Sequence, residues 1–102
     1  MDASTVPLLP GVLELARSGN VAGGTRRNHA WLNATTGWGG LTEPEQLLLA
    51  DAQTSGGLLL ATEDPGGLAR ALRERGVRHA AIGELVEGEP GRVDVVGRVD
   101  GH

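Results

Sequence analysis

The sequence predicts an α+β fold in which helices cover a small sheet. Three observations support this class: an apolar run of strand length at residues 58–62, valines alternating with polar residues over 92–99, and a helical pattern between them that includes Leu68 and Leu72. The chain has 102 residues, of which 39% are apolar, and this suits one small globular domain spanning 1–102.

The first predicted element is a helix over residues 9–18. Its apolar positions recur with the spacing of one helix face, at Leu9, Val12, Leu13 and Ala16. The Ser-Gly-Asn sequence that follows is a typical C-terminal stop. At most the end of a strand precedes this helix, so we expect the domain to begin further upstream, as an N-terminally truncated C-terminal domain.

Helical periodicity fails between residues 21 and 42. Here the sequence predicts only one or two helical turns, over 26–32, followed by a glycine-containing loop. Regular structure is expected again at Thr42, because Thr42 and Glu45 have the spacing of a capping box. The helix that follows is predicted over 43–51.

The second half alternates strand and helix patterns. The run at 58–62 is apolar throughout, which is typical of a buried strand. Asp64 and the proline after it predict the start of a helix that ends at Gly76. Residues 80–86 and 92–99 then predict two strands joined by a hairpin turn rich in glycine and proline.

Composition excludes several kinds of chemistry from these residues. There is no cysteine, and all nine basic residues are arginine, so no thiol nucleophile and no lysine base or P-loop lysine is present. The net charge of −4 and the absence of basic blocks argue against nucleic acid or an anionic membrane as the main partner. No secretion signal or membrane-spanning run is found, and a soluble cytoplasmic protein is expected.

One unusual string lies between the helix at 43–51 and the strand at 58–62. Its short polar side chains and two glycines suit either a cradle of backbone N–H groups for an anion or a tight turn that satisfies its own hydrogen bonds. Composition alone favours the turn. At least one of its glycines is expected to have a backbone conformation that is unfavourable for other residues. The residues of this structural motif are Asp51, Gln53, Thr54, Ser55, Gly56 and Gly57.

A second string combines a glycine pair, a hydroxyl group, arginine and an amide. Backbone N–H groups before a helix and a guanidinium group both favour phosphate, so this string is a candidate phosphate-binding segment. The alternative is a junction whose arginines face solvent, and composition alone favours it slightly. Arg27 is expected to point away and serve only the surface. The candidate cofactor-binding residues are Gly23, Gly24, Thr25, Arg26 and Asn28.

The two strings together resemble a known family. Residues 51–59 read D-A-Q-T-S-G-G-L-L and closely resemble the D-P-Q-T-S-G-G-L-L signature in the C-terminal domain of the selenide, water dikinase (selenophosphate synthetase) family. Residues 23–28 resemble the family's G-G-T-x-x-N string, 6–16 resemble the segment before it, and 81–85 are similar to a late I-G-E-V strand. The sequence departs from the signature at Ala52, where proline is usual.

The resemblance implies a fold and an activity. Members are similar in fold to the aminoimidazole ribonucleotide synthetases, and this chain would be part of their α+β C-terminal domain. They convert ATP, selenide and water to selenophosphate, AMP and phosphate, with magnesium on the nucleotide, and are usually dimers. The catalytic cysteine or selenocysteine, the essential lysine and the metal-binding aspartates lie in family segments that are absent here. The resemblance therefore implies no catalytic residue and no metal ligand in this sequence.

Three hypotheses for function remain. The first is the C-terminal part of a selenophosphate synthetase, needing a missing N-terminal catalytic domain as partner and binding neither ATP nor magnesium alone. The second is a non-catalytic binding or scaffold module of the same fold. The third is part of another enzyme of the superfamily, against which the Q-T-S-G-G-L-L string argues. We expect the isolated chain to be inactive in every case.

Overall fold

The structure is a computed structural model that describes residues 1–52 and 57–99. The described residues form helices and a two-stranded parallel sheet, which confirms a small α+β arrangement. A 3₁₀ turn at Ala3–Thr5 precedes the regular elements. These elements are α1 (Val12–Arg17), α2 (Gly23–Leu32), β1 (Thr36–Gly37), α3 (Glu43–Leu49), α4 (Pro65–Glu74) and β2 (Val93–Asp94).

The sheet pairs elements that are far apart in the sequence. β1 and β2 are parallel, with Thr36 opposite Val93. Gly39 follows β1 with a φ of +61°, and a Cβ there would lie 2.6 Å from the carbonyl oxygen of Val95. Only glycine combines this left-handed conformation with so close a backbone approach.

The N-terminal residues extend the sheet on the other side of β2. The Val96 N–H donates to the Met1 carbonyl, and the Ala3 N–H donates to the Val96 carbonyl, both at 2.9 Å. The Asp2 N–H in turn donates to the carbonyl of Ile82 at 2.6 Å. Four backbone segments thus lie side by side, although only β1 and β2 form a regular ladder.

The predicted strands are largely wrong in the described structure. Residues 58–62 and 80–86 form no strand, and of 92–99 only Val93 and Asp94 do. The predicted hairpin is also wrong, because β2 pairs in parallel with β1. The physical reason is that an apolar run specifies a preference for burial but does not specify a partner strand.

The helix boundaries follow their capping residues. In α3 the capping box of Thr42 and Glu45 is present, as predicted. At the start of α4 the Gly67 N–H donates to Asp64 Oδ1 at 3.0 Å, and Gly76 has a φ of +67° just after its end. α1 begins later than predicted, after Gly11, whereas α2 begins at the glycine pair rather than at residue 26.

The core lies between the N-terminal half and the last residues described. Its buried cluster consists of Ala3, Leu13, Leu41, Val95 and Val99. α1 packs against α3, and α2 packs more lightly against α3. No residue between 57 and 92 is buried. Among the described residues, no helix has the length and apolar character needed to cross a membrane.

Candidate functional site

The structure brings the two unusual strings together through one hydroxyl group. Thr25 Oγ1 donates to Asp51 Oδ1 at 2.7 Å and accepts from the Ala52 N–H at 3.0 Å. Thr25 is only 1% exposed. Because a hydroxyl can donate and accept at once, Thr25 fixes α2 to the start of the turn that follows α3.

Two further polar residues share the face of α2 that carries Thr25. Asn28 Nδ2 donates to the carbonyl of Ala50 at 3.3 Å, and His29 Nε2 lies 2.8 Å from Gln46 Oε1. The three side chains are spaced i, i+3 and i+4, which places them on one helix face. Sequence reasoning missed His29, although this polar spacing within residues 25–29 is a signal that could have found it.

The glycine pair at the start of α2 allows the helix to approach the turn closely. A Cβ added to Gly24 would lie 3.3 Å from the Cβ of Ala52, which is tighter than an ordinary van der Waals contact. The helix end and the turn are therefore in direct contact. Ala52, the position where the sequence departs from the family signature, is part of that contact.

Thr25, one of the candidate cofactor-binding residues, is buried. Its hydroxyl is turned inward because it has two hydrogen-bond partners in the following turn. Asn28 is exposed as a residue, but its amide is used by the backbone of Ala50. The Thr25 hydroxyl is therefore not presented freely to a ligand, whereas Asn28 stays exposed.

The outward features of this segment are instead backbone N–H groups and guanidinium groups. Ala22 supplies no side-chain cap, and the first N–H groups of α2, which lack helical partners, make no hydrogen bond to the described residues. The guanidinium group of Arg27 folds back over the same end, where a Cβ on Gly23 would lie 3.4 Å from its Nη1. Arg27 therefore does not point away, contrary to expectation. Arg26 is exposed.

This arrangement concentrates positive charge at one end of α2. The free N–H groups carry the positive end of the helix dipole, and Arg27 adds a full charge beside them. An arginine can donate two parallel hydrogen bonds to a phosphate group. The described geometry is therefore chemically suited to an anion.

The turn itself is described only in part. Gln53, Thr54, Ser55 and Gly56 lie outside the described residues, so the predicted anion cradle there stays a prediction. Gly57 is described and does not have a positive φ. The expected special glycine conformation thus depends on Gly56.

The described residues do not fit a magnesium site. Across 1–52 and 57–99, no three His, Asp or Glu side chains come close enough to hold a metal ion. Asp51, the acid nearest the candidate segment, accepts a hydrogen bond from the Thr25 hydroxyl. The segment therefore offers N–H and guanidinium donors, which suit phosphate oxygen rather than a cation.

A buried carboxylate on α3 joins this helix to residues 98 and 99. Glu45 is fully buried, and its oxygens accept from Arg98 Nε and Nη2 at 2.6–3.1 Å and from the Val99 N–H at 2.9 Å. The hydrogen bond from Arg98, above all, lowers the pKa of Glu45 to about 2, and the same contact raises the pKa of Arg98. Sequence reasoning had assigned Glu45 only to the capping box, because nothing local indicates a partner 53 residues away.

Curated relatives match nearly the whole chain. The chain is 43% identical over 100 residues to a selenide, water dikinase of Myxococcus xanthus, covering 95% of this chain and 28% of that protein. It is 41% identical over 99 residues to the selenide, water dikinase of Escherichia coli strain K12, covering 93% and 27%. A selenide, water dikinase of Photobacterium profundum is 39% identical over 90 residues, covering 84% and 25%.

The other comparisons add no relative. No protein-family model matches the sequence, and no solved structure matches the fold. The likeness to the aminoimidazole ribonucleotide synthetase fold therefore stays a prediction. The chain spans about a quarter of the length of the curated relatives it matches. By sequence it is a relative of selenide, water dikinase, consistent with a partial domain of that enzyme.

Proposed function

We propose that this chain forms the C-terminal part of an ATP-dependent selenophosphate synthetase and supports the site for the nucleotide phosphates. The full reaction would convert ATP, selenide and water to selenophosphate, AMP and phosphate. The observation that carries the proposal is the uncapped end of α2, over which Arg27 folds and which Thr25 fixes to the turn after α3. The match to the Myxococcus dikinase covers 95% of the chain and so includes both of these segments.

The proposed role of α2 is to hold phosphate charge in place. The N–H groups of Gly23 and Gly24 would donate to phosphate oxygens, and Arg27 would donate from its planar guanidinium group. Arg26, at the preceding position, is exposed and is a second candidate donor. Thr25 and Asn28 position the helix through their hydrogen bonds to residues 50–52.

The chemical step would depend on groups outside these 102 residues. The sequence has no cysteine and no lysine, so neither the nucleophile nor the lysine implied by the family can come from it. We therefore propose that the remaining part of the enzyme supplies them, together with the ligands for magnesium. The same absence keeps a non-catalytic binding module of this fold as the second candidate.

A chimera separates the two candidates. We would replace the matching 99-residue segment of the E. coli K12 enzyme with this chain and measure AMP formation that depends on selenide. If this chain has the same function as the segment that it replaces, the chimera should remain active. A folded chimera, verified by circular dichroism and gel filtration, that forms no AMP would favour the binding module.

The chimera also tests the phosphate site. Arg27→Gln should raise the KM for ATP about tenfold, as expected for the loss of one charged hydrogen-bonding group. Arg70→Gln, on the exposed face of α4, is the matched control and should leave KM unchanged. Arg26→Gln tested in parallel shows which of the two arginines binds. Equal KM values for all three variants would contradict the assignment.

A further inference from the structure

We propose that an open groove beside the C-terminal end of α4 binds the phosphate group of a small molecule. The groove has a volume of about 490 Å³, which lies in the range of small-molecule sites. None of its lining residues belongs to α2 or to the turn after α3, so the inference goes beyond the proposed function and does not depend on it. This α4 groove is lined by Pro7, Arg73, Gly76, Val77, Arg78 and His79.

Positive charge is concentrated around the α4 groove. Four of the nine arginines lie within residues 70–79, together with a single carboxylate, Glu74, although the whole chain has a net charge of −4. Arg73 and Arg78 line the groove itself. Their two charges balance one phosphate group, which carries roughly −1.5 to −2 at pH 7. The charge of the groove therefore favours a ligand with one phosphate group.

Arg78 reaches the groove because the chain turns sharply at Gly76. Gly76 has a φ of +67°, a left-handed conformation that other residues rarely adopt. The Val77 N–H then donates to the carbonyl of Leu72 at 2.9 Å, and the Gly76 N–H donates to the carbonyl of Arg73 at 3.1 Å. This turn closes the helix and places Arg78, which follows α4, along the same groove as Arg73.

The two arginines have no ion-pair partner among the described residues. The ion pairs in that part of the chain use Arg17, Arg92 and Arg98 instead. The last carbonyls of α4 accept backbone N–H groups, so neither guanidinium group is needed to cap the helix. Arg73 and Arg78 can therefore each donate two parallel hydrogen bonds to phosphate oxygens.

The rest of the lining suits a phosphate ester. His79 Nδ1 lies 2.9 Å from the carbonyl oxygen of Val77, and because a carbonyl only accepts, the ring proton is on Nδ1. Nε2 is then the ring nitrogen that a ligand can reach. Pro7 and Val77 supply apolar surface in the same groove. Free phosphate and a phosphate monoester share the chemistry that the arginines recognise, but only the monoester has an organic part to contact this surface.

Two-dimensional NMR of the 102-residue chain tests the proposal. Inorganic phosphate and phenyl phosphate are titrated separately at an ionic strength of about 0.15 M, where diffuse attraction between exposed charges is largely screened. The amide signals of Gly76, Val77 and His79 should shift and saturate. Tighter binding of phenyl phosphate would identify a monoester as the ligand, and equal binding of the two probes would identify free phosphate. Absent or non-saturating shifts with both probes would overturn the proposal.

Substitutions separate a defined site from general attraction. Arg73→Gln and Arg78→Gln should each weaken binding about tenfold, as expected for the loss of one charged hydrogen-bonding group. Arg75→Gln is the matched control, because it removes the same charge from the same stretch at a residue that does not line the groove. Circular dichroism verifies that each variant is folded. Equal weakening by all three substitutions would overturn the proposal.

The same spectra distinguish the α4 groove from the proposed phosphate site at α2. The amides of Gly24 and Arg27 report on α2, and Arg27→Gln should leave the response at residues 76–79 unchanged. A response at α2 with none at 76–79 would overturn the α4 groove and leave the proposed function standing. A response at 76–79 with none at α2 would support the groove and count against the phosphate site at α2.

Discussion

The packed region, residues 1–52 with 93–99, and the open region, residues 57–92, use similar sequences differently. Six leucines lie in the 36 residues of the open region and nine in the 59 residues of the packed region, so their leucine contents are similar. All of the buried residues that the structure describes lie in the packed region. Leucine content alone therefore does not decide which half forms a core.

The difference lies in the polar contacts that tie elements together. In the packed region Thr25 joins α2 to the turn after α3, and Glu45 joins α3 to Arg98 and Val99. These contacts span 26 to 54 residues of sequence. The hydrogen bonds found within 57–80 connect near neighbours, such as Asp64 to Gly67. Among the described residues, side-chain hydrogen bonds between distant elements are thus found in the packed region.

The largest expected effect is on activity. The purified 102-residue chain should form no AMP from ATP, selenide and magnesium above a control without protein. The reason is that neither a cysteine nor a lysine is present in it. The E. coli K12 enzyme itself, assayed alongside, shows that the conditions support turnover. Clear activity of the chain alone would contradict this prediction, because these 102 residues would then suffice for the reaction.

A pair of leucine substitutions tests the two regions directly. Leu47→Ala, in α3 at 4% exposure, should lower the free energy of unfolding by about 2–5 kcal/mol, because it leaves a cavity. Leu59→Ala, in the open region, should change the same quantity by less than about 0.5 kcal/mol. Urea denaturation followed by circular dichroism measures both. Equal effects would mean that the open region has a core of its own.

Removing the Glu45 charge tests a contact that joins distant elements. Glu45→Gln keeps a capping side chain but weakens the bonds to Arg98, and it should lower the free energy of unfolding by about 2 kcal/mol. Glu43→Gln, on the exposed side of the same helix, is the control.

The same carboxylate predicts a dependence on pH. Its pKa is about 2 in the folded chain against an ordinary value of 4.5, so its stabilisation is present above pH 4.5. That contribution should be lost as the pH falls from 4.5 towards 2, and the Gln variant should lack this part of the acid sensitivity. Identical pH profiles of the two proteins would show that the contact does not form in solution.

The smallest expected effect concerns the hydroxyl bridge. Thr25→Val should lower the free energy of unfolding by about 1 kcal/mol, because it leaves the Ala52 N–H without its acceptor. Thr25→Ser keeps the hydroxyl and should cost less. Thermal unfolding of both variants provides the measurement. If valine is as stable as threonine, the bridge does not fix α2 to the turn.

The sequence determined the local features of this protein. The capping box of Thr42 and Glu45, the Asp64 cap and the stop at Gly76 depend on residues within a few positions of each other, so their spacing predicted α3 and α4. The nine-residue string starting at Asp51 likewise carried the resemblance that the curated relatives confirm.

Only the tertiary structure decided how these features meet. The parallel pairing of β1 with β2, the inward position of Thr25 and the ion pair of Glu45 with Arg98 join residues that are 26 or more positions apart. No local pattern encodes such partners, since pairing depends on which surfaces remain after the helices pack. For the same reason the apolar run at 58–62 indicates a preference for burial but does not specify which segment covers it.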